Sequence, residues 1–217
     1  MTRRPTIHEL LWPKDSAFDA LKAWPRGFGT RILTRVWEGY DRLVSEELSR
    51  IKDFANLEQV ERSLTDLHFD KIVALQSGDE PFLPTREVPN FGATHSAKAM
   101  PPSNDFGFKI RGGDLSLVWP LEAKFVPQAA RVDKYLKCRS SPFSSEAGLI
   151  AYLVDANIDA TFSAIAHGIG QSLLKSKTFY KRLHWTTEHA RKVPPNKPYP
   201  ATLRCHHLMM PLTVELA

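Results

Sequence analysis

Apolar residues recur at intervals of three and four from Thr30 to about Phe54, through Ile32, Val36, Tyr40, Leu43, Val44, Leu48 and Ile51, and this period predicts an amphipathic helix. Asn56 suits an N-cap for a second helix, whose stripe Leu57, Val60, Leu64, Leu67 and Ile72 runs to about Gln76. Five prolines between Pro81 and Pro102 leave room for one short strand near Arg86–Phe91. From Asp105 to Phe125 the period changes to two, the mark of strands with one buried face. A helix over 128–138 follows. The near-continuous apolar run Ala147–Val154 predicts a strand covered on both sides. A helix over 158–174 and a last strand at about 202–211 complete the pattern. Residues 1–29 carry Pro5, Pro13, Pro25, Gly27 and Gly29 and read as an irregular arm.

These elements alternate in type, so the fold class is α/β. The expected organisation is an N-terminal arm and helical extension over 1–55, then one domain over 56–217 with a basic C-terminal segment. The length of 217 residues and 42% hydrophobic content support a real core. No stretch of eighteen apolar residues occurs, which argues against a spanning helix and a membrane partner. The opening Met1-Thr-Arg-Arg-Pro has no apolar signal core, and two cysteines, Cys138 and Cys205, make no disulfide framework. Both features lead us to expect a cytoplasmic protein.

Charge changes this picture in one place. The net +5 averages a region at 41–90 with six basic and eleven acidic residues and a segment at 175–204 with eight basic residues and one acidic. The late segment interleaves Phe179, Tyr180, Trp185 and Tyr199 with its cations, which suits phosphate contact and base stacking. Lys175, Lys177, Lys181, Arg182, Arg191 and Lys192, with Lys98 upstream, are the candidate nucleic-acid contacts. His184 and His189 lie in the same segment and read as surface or nucleic-acid contacts.

The period-two region carries the candidate chemistry. Gly112-Gly113 predicts a two-residue hairpin turn, which would pair Arg111 with Asp114 and Asp105 with Pro120. One face then holds Phe106, Phe108, Ile110, Leu117, Trp119, Leu121, Ala123 and Phe125, and the other holds Asp105, Lys109, Glu122 and Lys124. Glu122 and Lys124 share that polar face, and Asp105 stands diagonal to Glu122 at roughly 7 Å. Two carboxylates so placed can share one Mg²⁺, with waters completing the shell. The lysine beside them can orient a water and offset charge on a phosphorane-like transition state. Asp114, eight residues before Glu122, lies too far along the strand to join them and reads as a turn residue.

Asp105, a hairpin and then Glu122-Ala-Lys124 resembles the signature of the PD-(D/E)xK phosphodiesterase superfamily, the restriction-endonuclease-like fold. The order of elements over about 57–175 is similar to that family's αβββαβ core, with a central mixed sheet flanked by helices. Ser103-Asn104 precedes the first acid where the family often has proline. The resemblance implies a Mg²⁺-dependent endonuclease, with Mn²⁺ as a substitute. Asp105 and Glu122 would hold the metal, and Lys124 would complete the catalytic set. It implies hydrolysis of nucleic-acid phosphodiesters, DNA before RNA, leaving a 5′-phosphate. Trp119-Pro-Leu-Glu-Ala-Lys124 also resembles the strand of bacterial nuclease components from phage-defence or mobile-element systems. The family often carries a further acid on the preceding helix, for which Glu61 and Glu58 are candidates.

His95 and Gln128 could support the site, as could Asp133 and Tyr135, although each also reads as an ordinary structural residue. Cys205-His206-His207 lacks a second ligand pair, and adjacent strand histidines face opposite ways, so zinc is not expected there. No base-reading motif is visible. A partner protein or a homo-oligomer is therefore expected to supply regulation or specificity. The competing reading is a non-catalytic subunit that keeps the fold and grips nucleic acid or a partner.

Overall fold

The computed structural model describes Trp24 and residues 26–48, 56–89, 103–110, 117–125, 132–154 and 157–212. Among the described residues it is a mixed α/β protein built on one seven-stranded sheet. The helices are α1 (Phe28–Glu46), α2 (Leu57–Ala74), α3 (Asp133–Leu136) and α4 (Ile158–Ile169). The strands are β1 (Phe82–Pro89), β2 (Ser103–Ile110), β3 (Val118–Phe125), β4 (Glu146–Val154), β5 (Leu174–Lys175), β6 (His184–Ala190) and β7 (Thr202–Leu212). The spatial order is β1-β2-β3-β4-β7-β6-β5. β1, β2 and β3 form an antiparallel meander, β3, β4 and β7 run parallel at the centre, and β6 and β5 return antiparallel at the far edge.

Local chemistry accounts for the helix boundaries. The Asn56 side chain accepts a hydrogen bond from the Gln59 amide and caps α2. Asn157 caps α4 in the same way. α4 stops at Ile169, short of the expected 174, because Gly170 adopts φ 69° and ends the helix in the left-handed region that glycine enters freely. The chain then enters the edge strand β5. The helix expected over 128–138 is the single turn α3 among the described residues. His95, Lys98, the Gly112-Gly113 turn with Asp114, and Gln128 lie outside the described residues.

Helices α1 and α2 cover one face of the sheet. Ile32, Val36, Trp37, Tyr40 and Leu43 of α1 join Leu64 and Ile72 of α2 in one core with Phe106, Phe108, Trp119, Leu121, Ile150, Tyr152, Leu208 and Met210. The helices approach closely because position 39 is glycine, where a Cβ would fall 2.6 Å from Ile72 Cγ1. α1 therefore belongs to the same core as the sheet, and the expected boundary at 55/56 does not separate two hydrophobic cores. On the opposite face α3 covers Ala147, Leu149, Leu203 and Cys205, and α4 covers Ala151, Leu153 and Met209. β4 is thus apolar on both sides, as its unbroken apolar run predicts.

The β2–β3 hairpin keeps its predicted faces and changes its register. Phe106 pairs with Leu121 and Gly107 with Pro120, so each partner lies two residues from the expected one. A two-residue shift preserves every side chain's face, since the strand period is two. Here the ladder is set by packing, with Phe108 opposite Trp119 and edge-on to it at 6.5 Å between ring centroids. β3 is also bound along its other edge to β4. The consequence is chemical: in this register Asp105 comes opposite Glu122, where the sequence placed it on the diagonal. No helix among the described residues is long and apolar enough to cross a membrane.

Candidate active site

The β2–β3 ladder ends at Phe106 and Leu121, although β3 continues to Phe125. Beyond that point carboxylates take the amides that a neighbouring strand would otherwise bind. Asp105 Oδ2 accepts from the Ala123 N–H at 2.7 Å, and Glu61 Oε2 accepts from the Phe125 N–H at 2.8 Å. Glu61 reaches this edge from the second turn of α2, whose start Asn56 fixes. Of the two candidate helix acids, Glu61 reaches the β3 edge, while Glu58 is exposed and pairs with Arg62.

Lys124 stands at the centre of the acids. Its Nζ lies 3.1 Å from Glu61 Oε1, 3.4 Å from Asp105 Oδ2 and 3.9 Å from Glu122 Oε1. Burial pulls the Lys124 ammonium down, but the Asp105 and Glu122 charges and the Glu61 hydrogen bond outweigh it, and its pKa is raised. Lys124 is thus held in its charged form by the acids around it. Glu122 moves upward as well, chiefly through burial and the nearby Asp105 charge, against the opposing pull of Lys134 and Lys124.

Lys134, from α3, donates to Glu122 Oε2. Lys134 falls on the helix expected over 128–138, between the named Asp133 and Tyr135, but no spacing singled out this lysine. Of its neighbours named beforehand, Tyr135 is buried and works from behind the site. Its hydroxyl points at Asn104 Oδ1 at 3.4 Å, and Ser140 Oγ donates to the same oxygen at 2.7 Å. Asn104 Nδ2 in turn donates to Ser141 Oγ at 3.2 Å. The residue immediately before Asp105 is thereby locked to the loop that follows α3.

The basic segment at 175–204 is only partly a surface. Arg191 is buried and donates to the carbonyls of Tyr135, Pro142 and Ser144, so it holds the α3 loop and does not face a ligand. His184 and His189 are also buried, contrary to their expected surface role. β6 carries them into the sheet, where His184 accepts from Trp37 Nε1 and bonds His206, and His189 bonds Thr187. Phe179 stacks on His184, Trp185 packs edge-on to Phe162, and Tyr199 packs on Phe143. Those rings are spent on the interior, and Tyr180 alone among the segment's aromatics is exposed. Arg182 forks onto Asp41, Arg204 pairs with Glu188, and Lys175 donates to the Arg182 carbonyl. Lys177, Lys181 and Lys192 are exposed, with no ion pair among the described residues.

Asp105 and Glu122 offer hard oxygen donors on one face of adjacent strands. Among the described residues no group of three or more Asp, Glu, His or Cys side chains is placed to hold a metal ion. Mg²⁺ asks for less, because it binds through one or two carboxylates and keeps several waters. The donor set fits that ion. No family model matches the chain, and neither a curated protein nor a solved structure matches it.

Proposed function

We propose that the protein is a metal-dependent nuclease that hydrolyses phosphodiester bonds, acting on DNA in preference to RNA. The observation that carries this reading is the meeting of Glu61, Asp105 and Glu122 around Lys124 at the open end of the β2–β3 ladder. With Lys134 included, three carboxylates face two ammonium groups, a balance of one negative charge. One divalent cation reverses that sign and complements the single negative charge of a phosphodiester. The helix, three-stranded meander, helix and parallel fourth strand also follow the order that the PD-(D/E)xK resemblance implies, and this supports a restriction-endonuclease-like core.

In this reading Asp105 and Glu122 hold Mg²⁺, or Mn²⁺ in its place. The bound ion supplies Lewis-acid polarisation of a phosphoryl oxygen and a more acidic water. Lys124 orients the attacking water and offsets charge as it builds on phosphorus. Glu61 fixes Lys124 from one side and the β3 backbone from the other. Lys177, Lys181 and Lys192 grip the substrate backbone electrostatically. A defence or mobile-element setting, with a protein partner or self-association supplying specificity, follows the same resemblance.

The test is purified protein with plasmid, linear duplex, single-stranded DNA and RNA, in Mg²⁺, Mn²⁺ or EDTA, beside Asp105→Ala and Lys124→Ala. Metal-dependent cutting that both variants abolish is the expected result. Cutting that persists in Asp105→Ala would sink the assignment, and binding without cutting would favour the non-catalytic subunit.

A further inference from the structure

The described residues place a second lysine in the site, in a position that the motif itself does not require. Lys134 donates to Glu122 Oε2, while Lys124 faces Oε1 of the same carboxylate at 3.9 Å. The two ammonium groups differ in their surroundings. Lys124 lies among three acids, whereas Glu122 is the acid with which Lys134 forms an ion pair among the described residues.

The backbone beneath Lys134 is pinned from several directions. Its carbonyl accepts from the Arg139 and Ser140 amides at 2.9 and 3.2 Å. Arg191 Nε donates to the Tyr135 carbonyl at 3.1 Å, and the Lys192 amide donates to the Leu136 carbonyl at 2.8 Å. Such support fixes the single turn α3, which also covers Ala147, Leu149, Leu203 and Cys205. It holds an ammonium group over Glu122 on a short, fixed base.

We propose that Lys134 is a catalytic residue that contacts the scissile phosphate, and this inference rests on the nuclease reading above. Glu122 would hold a divalent cation whose charge would replace the counter-charge that Lys134 gives this carboxylate. The Lys134 ammonium then stands beside the same carboxylate with a donor free for a phosphate oxygen. In the hydrolysis the water oxygen forms a bond to phosphorus and releases its proton to solvent. The P–O3′ bond breaks, and the departing 3′-oxygen keeps the electron pair and takes a proton from water. Lys134 remains protonated throughout and attracts the negative charge that grows on the phosphoryl and leaving oxygens.

The rival role is counter-charge alone, and saturating metal separates the two. A lysine that only neutralises Glu122 becomes dispensable once metal saturates the site. A lysine on the phosphate does not. Single-turnover cleavage of a DNA duplex is measured across a Mg²⁺ titration for the wild type, Lys134→Met, Lys134→Gln, Lys134→Arg and Asp105→Asn, with thermal melting to identify folded variants. Lys134→Met, or Lys134→Gln if the former does not fold, should lower the plateau rate about 100-fold. Lys134→Arg should recover roughly tenfold of it, since it restores the charge with a different donor geometry. A folded Lys134→Met or Lys134→Gln that reaches the wild-type plateau, at lower Mg²⁺ demand, overturns the inference and leaves the nuclease reading standing. A wild type that cuts nothing removes both.

Discussion

The buried histidines should make this protein sensitive to mild acid. His68 is enclosed between α1 and the sheet, bonded to the Val36 carbonyl and the Tyr152 hydroxyl at 2.9 Å each. Burial lowers its pKa to about 4, and lowers those of His184 and His207 to about 3 each. His206 is also held well below its ordinary value, by burial and by the neighbouring His184. A depressed folded pKa contributes stability that is present above the unfolded value near 6.5 and lost as pH falls from there toward 3–4. At pH 5.5 an unfolded histidine is roughly nine-tenths protonated while these remain neutral, a difference of about 1–2 kcal/mol per residue. His68, His184 and His207 together amount to about 4 kcal/mol, against typical stabilities of roughly 5–15 kcal/mol. Glu122 acts in the opposite sense, because its raised pKa favours the folded state as it takes up a proton. Urea unfolding at pH 7.5 and 5.5, for the wild type and His68→Gln, measures the effect. The stability gap between the two pH values should shrink by about 1–2 kcal/mol in the variant. An unchanged gap would mean that His68 titrates normally in the folded protein, and the reasoning would be refuted.

Glu61→Ala strips the acceptor from the Phe125 amide, which should cost about 1–3 kcal/mol and lower the melting temperature by several degrees. Glu61→Gln should melt closer to the wild type yet cleave more slowly, because Lys124 loses a charged partner; equal melting of wild type and Glu61→Ala would contradict the role given to this side chain. Arg191→Met leaves three carbonyls of the α3 loop without their donor and should lower stability by about 2–4 kcal/mol in urea titration. The double variant Lys177→Ala, Lys181→Ala should melt normally while reducing the slope of log affinity for DNA against log salt by about two. A salt slope changed by Arg191→Met and untouched by the lysine pair would reverse these assignments.

Periodicity alone determined a good deal of this protein. The split between Phe106, Phe108, Trp119 and Leu121 on one face and Asp105, Glu122 and Lys124 on the other follows from a two-residue alternation that any register with that parity preserves. The Asn56 cap and the doubly covered β4 are likewise local, written in a few consecutive side chains. Tertiary structure decided the rest. Which residue lies opposite Asp105 goes with how Phe108 packs against Trp119 and how β4 binds β3, and it differs from the partner that the Gly112-Gly113 dipeptide predicts. Lys134 meets Glu122 from α3, and Arg191 and Asn104 tie down the loop that follows that turn. Charge density at 175–204 counts cations without saying where they point. Pairing of β6 with β7 turned His184 and His189 inward, and the neighbouring Arg191 onto the carbonyls of the α3 loop, leaving the exposed lysines to carry the basic surface.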